Sequence, residues 1–290
     1  MPGDQRARGV DPVMDAGSDR EHRHARRLRT APLEVVGRFA DASNATLLVR
    51  LTDRDARGLD EVAEQLGREP ELTDLEPDDL AVYKPQRGER PLHDFPEGTL
   101  HRREIAAALV SDALGWGLVP ATVEREDAPF GVGSLQRYVA HDPQEHYFSL
   151  LEAGEPAVRA QLEAMVVFDL IIDNADRKAG HVLVERPPGA AGEPADGATA
   201  LRLVDHGVSF HVEPKLRTVA WDFAGQPVPT RLLAELEPLP AALDAELGAR
   251  LAQLLSTPEL ERLRERIAKV RTLEAFPEPE GPFPYPWPLL

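Results

Sequence analysis

The chain has no cysteine among its 290 residues. That absence excludes disulfide scaffolds, cysteine-ligated zinc, iron–sulfur clusters and thiol nucleophiles. No run approaches the roughly 18 apolar residues of a membrane span, and the opening MPGDQRARGVDPVMDAGSDR lacks the apolar core of a secretory signal. A cytoplasmic location is therefore expected. Basic charge is in deficit: 33 Lys and Arg against 50 Asp and Glu leave a formal charge of −17. Nucleic acids and anionic bilayers are held through basic patches, so neither a nucleic-acid partner nor stable membrane association is expected. Lysine is scarcer still, limited to Lys84, Lys178, Lys215 and Lys269, so a lysine inside an apolar segment stands out. The nine histidines include no H-E-x-x-H or comparable metal pair.

What is present suffices for a globular core, since 42% of residues are apolar. Residues 1–30 show no apolar periodicity and read as a disordered tail. Residues 274–290 hold six prolines, which exclude helix and central strand and favour an extended tail. Between the tails, Leu33–Phe39, Thr46–Leu51, Leu80–Lys84, Ala121–Glu124 and Gly133–Val139 read as strands. Residues 101–114 read as a helix ended by Gly115. Residues 155–172 make a long helix that runs into the polar turn DNADRKAGH; a hairpin from His181–Glu185 and Leu201–Asp205 follows, and 230–272 is helical again. The domains expected are a β-rich lobe over 31–140 and a mostly helical lobe over 141–273. A cleft between such lobes is a usual place for a ligand.

Four charged residues stand where the local pattern does not ask for them. Lys84 ends LAVYK, Glu104 lies on the helix after it, Asp176 sits in the polar turn, and Asp205 ends LRLVD. Phosphoryl transfer from ATP uses this inventory: a lysine on the phosphates, a glutamate to hold it, a carboxylate beside the attacking hydroxyl and a carboxylate on the metal. Asp176-Arg-Lys-Ala-Gly-His181 keeps the D-x-x-x-x-N spacing of kinase catalytic loops, and Asp205-His-Gly207 supplies a D-x-G. His181 replaces the usual metal-binding Asn; a neutral imidazole suits Mn²⁺ better than Mg²⁺. Asp169, on the apolar stripe of its helix, is expected to be a buried group that bonds the backbone of the catalytic turn.

FDLIIDNADRKAGH resembles the corresponding segment of the phosphatidylinositol 3- and 4-kinase-like superfamily, with HipA-type kinases as further relatives. VYKPQRGERPLHDFPEGTLHRREIAAALVSDALGWGLVP and DHGVSFHVEPKLRTVAWDF look like an actinobacterial family related to the same kinases. The resemblance covers about residues 33–272. It implies an α+β, two-lobed protein-kinase-like fold and an ATP-dependent kinase. ATP and Mg²⁺ or Mn²⁺ would be its cofactors, and a small molecule or a protein hydroxyl its acceptor. Carried over position by position, Lys84 and Glu104 resemble the phosphate-binding pair, Asp176 the catalytic Asp, and Asp205 with His181 the metal ligands. Ser43 and Asn44 stand where the phosphate-covering loop belongs. Gln136, Tyr138 and Val139 fall where adenine meets the inter-lobe connection, and Lys215 and Arg217 where the activation segment meets substrate. A nucleotide-binding pseudokinase and a protein nucleotidyl transferase use the same cleft and are the alternatives.

Overall fold

The computed structural model describes residues 16–39, 42, 44–53, 75–186 and 199–290. Five strands form one antiparallel sheet: β1 (Leu33–Arg38), β2 (Leu47–Leu51), β3 (Leu80–Pro85), β4 (Thr122–Arg125) and β5 (Gly133–Arg137), in the spatial order β1-β2-β3-β5-β4. Every neighbouring pair is antiparallel. Alternation in these strands buries Leu33, Val35, Leu47, Val49, Tyr83 and Leu135 on one face, the pattern expected of a sheet with one packed side. Gly133 faces the end of β3, where a Cβ would lie 2.4 Å from the Lys84 carbonyl oxygen. Only glycine lets β5 approach the strand that carries this lysine.

Helix α2 (Leu100–Leu114) crosses beneath the sheet and ends at Gly115, whose φ of 67° supplies the left-handed cap. Its middle, Ala106-Ala107-Ala108-Leu109-Val110, is buried on all sides and belongs to the core of the second lobe. The second lobe begins with α3 (Tyr147–Ala153) and α4 (Pro156–Ile172). Proline at the first position of α4 costs no hydrogen bond, and Asp173 closes the helix with φ 54°. Strands β6 (Val182–Glu185) and β7 (Ala200–Leu203) form a separate antiparallel hairpin. The region 230–272, read as continuously helical, resolves into α5 (Thr230–Glu235), α6 (Leu239–Leu243), α7 (Glu246–Leu251) and α8 (Thr257–Val270). Pro238 and Pro240 break it early, and Ser256 with Glu259 builds the capping box that starts α8. Among the described residues no helix is long and apolar enough to cross a membrane.

The amino-terminal segment departs from expectation. Residues 16–30 form helix α1 (Ala16–Thr30), docked on β4 and β5. Charge does the docking. Arg137 of β5 lies between Glu21 at 2.6 Å and Glu185 of β6 at 2.8 Å, and Glu21 also accepts the Ala121 N–H at 2.7 Å. Arg125 donates to the Leu28 and Ala31 carbonyls at the helix end, which satisfies orphan acceptors there. Apolar periodicity is thin in this helix because arginine–carboxylate pairs replace it. One apolar anchor remains: Leu28 is fully buried with Leu33, Val35 and Val123. Leu28→Ala is expected to cost about 3 kcal/mol, the usual size for a leucine deleted from a core. Urea unfolding would read this; a loss below about 1 kcal/mol would show that α1 contributes little to the first core.

The proline-rich end is neither helix nor strand beyond a bridge between Pro227 and Ala275, but it is tied to the body. The Thr218 N–H and the Trp221 indole N–H both donate to the Pro284 carbonyl, and the Ala179 N–H donates to that of Leu289. Phe276 is buried against Phe223, whereas the rings beyond it stay in solvent, with Phe283 74% and Trp287 88% exposed.

Candidate active site

The end of β3, the inner face of α2 and the loop after β7 meet around one lysine. Lys84 Nζ donates to Glu104 Oε1 at 2.5 Å and to Asp205 Oδ1 at 2.8 Å. Burial opposes the Lys84 charge, but Asp205 and Glu104 more than offset it and hold the ammonium well above the usual lysine range. Glu104 is also buried; Lys84 and then His206 nonetheless lower its carboxyl to about 2. Its second oxygen accepts the His206 N–H at 2.9 Å, so one carboxylate orders both the lysine and the D-x-G turn. Asp205 itself has φ 61°, a left-handed conformation that Asp and Asn tolerate better than other side chains. Its side chain keeps 49% of its surface, and Lys84 leads His181 in holding its carboxyl far below the usual range against desolvation.

Asp176 belongs to a turn fixed from within. Its N–H donates to Asn174 Oδ1 at 2.9 Å, and Asn174 Nδ2 donates to Asp169 Oδ1 at 3.2 Å. Arg177, fully buried, gives Asp169 two further bonds at 2.9 and 3.0 Å, reaches the Val204 carbonyl at 2.9 Å and donates to His206 Nε2 at 2.9 Å. Asp169 is thus the buried structural carboxylate expected, although it takes side-chain donors more than backbone ones. The turn is also laced to the segment after Asp205: Ala175 N–H to Val208 O, Arg217 N–H to Asn174 O and Arg177 N–H to Arg217 O. Burial first, and the Asp205 charge, raise the Asp176 carboxyl to about 6 even though Lys178 Nζ lies 3.4 Å away. Two carboxylates share a cleft that holds more negative charge than its lysines neutralise there.

His181 closes a 3₁₀ turn (Ala179–His181). Its Nε2 lies 3.4 Å from Asp205 Oδ2, and burial lowers its pKa to about 4 against the pull of Asp205. The ring is therefore neutral at pH 7. Its Nδ1 accepts the Lys178 N–H at 3.4 Å, which places the single ring proton on Nε2, toward Asp205. The ring accordingly offers Asp205 an N–H, whereas a metal ligand would offer a lone pair. Asp205 fits a divalent cation by its hard, partly exposed oxygens. Among the described residues no group of three or more His, Asp and Glu could hold an ion alone.

The remaining candidates lie elsewhere. Ser43 falls outside the described residues. Asn44 Oδ1 accepts the Arg90 N–H at 2.8 Å and so ties its turn to the loop after β3. Gln136 is buried and turns its amide to Thr122 Oγ1 at 2.9 Å, within the sheet. The Tyr138 N–H donates to the Leu80 carbonyl, and the Val139 carbonyl lies 2.8 Å from His141 Nδ1. Lys215 pairs with Asp94 at 2.8 Å, and its N–H donates to Asp173. Arg217 points its side chain into a separate cavity. Sequence reasoning missed His206, which joins Arg177 on one side to Glu104 on the other; burial holds it below the usual histidine range. Its position as the middle residue of the D-x-G was the available signal.

No family model matches the chain. It is 38% identical over 292 residues to protein Rv2133c of Mycobacterium tuberculosis, covering 90% of this chain and 93% of that protein. It is 30% identical over 186 residues to phosphatidylinositol 4-kinase gamma 1 of Arabidopsis thaliana, covering 58% of this chain and 32% of that one. The chain thus spans about a third of the plant kinase's length. Among solved structures, the Golgi casein kinase with Mn/ADP bound superposes with a TM-score of 0.52 at 15% identity, over 87% of this chain and 74% of that one. The α+β, kinase-like architecture read from the sequence is the fold of this protein. The chain, a two-lobed kinase-like domain, belongs to the family of the mycobacterial protein Rv2133c.

Proposed function

We propose that this protein is an ATP-dependent phosphotransferase acting on a hydroxyl of a small molecule or a protein. The observation that carries the reading is the Lys84 ammonium held between Glu104 and Asp205, with the carboxyl of Asp176 raised by burial and by the charge of the same Asp205. Lys84 would bind the phosphates, with Glu104 fixing its position. Asp176 would accept the acceptor's proton; a value near 6 leaves it ionised at pH 7 yet basic enough to take a proton in flight. A divalent cation on Asp205 would neutralise phosphate charge when bound. With a cation held there, Asp205 would give up its bond to Lys84, and Lys84 would be free to bind the phosphates. His181 joins the metal only if its proton moves to Nδ1 and the Lys178 N–H bond is given up.

That last feature favours a second reading, a nucleotide-binding regulatory module without transfer. Incubation with γ- and α-labelled ATP in Mg²⁺ and in Mn²⁺ separates them. Transfer of the γ label alone is expected. Transfer of the α label would make the protein a nucleotidyl transferase, and retention of both labels with nucleotide bound would leave the regulatory module. His181→Asn is expected to raise the use of Mg²⁺ relative to Mn²⁺ if the imidazole joins the metal, and to leave the ratio unchanged if it only donates to Asp205.

A further inference from the structure

A cavity of about 700 Å³ lies on the second lobe, between the end of α4, residues 212–217, the last turns of α8 and residues 277–283. In a chain of net charge −17, five cations line it: Lys215, Arg217, Arg262, Arg266 and Lys269. Two of them are among the four lysines of the sequence. Three follow from helix geometry: 262, 266 and 269 are spaced i, i+4, i+7, a stripe beside the buried Leu263, Ile267 and Val270. One face of α8 is therefore core, and the adjoining face is basic wall.

Two of the four carboxylates on the wall, Asp173 and Glu265, are engaged. Both Asp173 oxygens accept the Lys215 N–H at 3.1 Å. Glu265 pairs with Arg262 at 2.6 Å, and the Glu278 carboxylate lies against Gly225. Glu280 is exposed. Three of the five cations are paired: Lys215 with Asp94 at 2.8 Å, Arg262 with Glu265, and Arg266 with Asp173 at 3.9 Å. Arg266 spends Nε on the Ile171 carbonyl and Nη1 on that of His211, each at 2.9 Å, but its Nη2 is buried without a hydrogen-bond partner. Arg217 and Lys269 have no ion-pair partner among the described residues. The rest of the lining, with Leu216, Trp221, Leu273 and Phe283, is apolar, and the volume is that of an ordinary small-molecule site.

We propose that this cavity is a binding site for a small organic anion with an apolar body, separate from the Lys84 cleft. The anionic group lies between Arg217 and Lys269, the two cations of the lining without an ion-pair partner among the described residues, and the apolar part lies on Trp221 and Leu273. Its wall also bears on the catalytic turn: the N–H and C=O of Arg217 bond Asn174 and Arg177 on either side of Asp176. A ligand here thus presses on the segment that shapes the turn.

The test uses a fluorescent sulfonate, 1-anilinonaphthalene-8-sulfonate, titrated into the full chain in its native state. Saturable binding to one site is expected. The double variant Arg217→Glu, Lys269→Glu alters two exposed side chains and should weaken it at least tenfold. The neutral analogue N-phenyl-1-naphthylamine should bind at least tenfold more weakly than the sulfonate. Lys84 is no part of the cavity wall, so Lys84→Met, titrated at a temperature where circular dichroism shows the variant folded, should leave the dye's affinity unchanged. Should the double variant fail to fold, Arg217→Gln, Lys269→Gln should still weaken binding about threefold. Absence of saturable binding, equal affinity in the charge-altered variant, or a tenfold loss in Lys84→Met would each overturn the proposal. No arm depends on phosphoryl transfer, so a chain that transfers no phosphate gives the same dye result.

Discussion

Asp205→Asn is expected to reduce phosphoryl transfer about a thousandfold, the order found when a group stabilising transition-state charge is removed. Asn accepts the left-handed backbone at this position as readily as Asp, so the substitution removes charge and leaves the turn in place. Lys84 then keeps Glu104 at 2.5 Å as its only carboxylate among the described residues. Stability changes in a direction fixed by the shift. The Asp205 carboxyl is held below its unfolded range, so it contributes stability above about pH 4 that is lost on acidification. The variant is therefore less stable than wild type at pH 7 and approaches it in acid. Lys84→Met should be the more damaging change to the fold, since it strands Glu104 and Asp205 together without their cation. Single-turnover transfer assays and urea unfolding at pH 7 and pH 3 check both statements. Transfer by Asp205→Asn within tenfold of wild type would remove Asp205 from the chemistry.

Much of the first core and the Lys84 cluster were legible because each depends on local pattern. Alternation located the strands to within a residue or two, and Lys84, Glu104 and Asp205 were visible as charges at places where strand and helix patterns end. The structure brings both carboxylates within hydrogen-bond reach of Lys84. What was hidden depends on pairing between distant segments. Helix α1 looked disordered because its docking rests on Glu21, Arg137 and Glu185, which lie far apart in sequence. Lys215 and Arg217 were read by their distance after Asp205, but the α8 stripe that completes their surroundings is some fifty residues further on. Gln136 was placed at the adenine edge by position alone, and the facing Thr122 turns its amide into the sheet.

His206 shows what such pairing achieves. From α4 to β3 the buried polar groups form one line: Asp169 to Arg177, Arg177 to His206, His206 through its backbone to Glu104, and Glu104 to Lys84. Because His206 Nε2 accepts from Arg177, its remaining proton sits on Nδ1, 3.7 Å from Glu104 Oε2. The helical lobe thereby sets the orientation of the lysine in the β-rich lobe, and the two halves of the proposed site are positioned by one set of bonds.

The second large effect is expected at Asp176. Asp176→Asn should lower the transfer rate by a factor of about 10² to 10⁴, the usual contribution of a positioned general base. The same substitution should stabilise the protein without ligand. The folded carboxyl titrates at about 6, above its unfolded value near 4, because burial and Asp205 disfavour its charge. A group raised in this way contributes stability in acid that is lost as pH rises through 6, so at pH 7 the ionised Asp176 is a net cost. Neutral Asn removes that cost, for a gain on the order of 1 kcal/mol at pH 7 that vanishes below pH 4. Asp176 and Asp205 substitutions thus move stability in opposite directions while both suppress transfer. The pH profile adds an independent reading: wild-type kcat/KM should fall on the acid side with a midpoint near 6, and a bound cation on Asp205 should pull the corresponding kcat midpoint lower. Thermal unfolding of Asp176→Asn at pH 7 and pH 4, beside wild-type rates from pH 5 to 8, decides the point. A destabilised variant at pH 7, or an acid limb unmoved from the ordinary carboxylate range near 4, would show that Asp176 is not the strained base this cleft is built around.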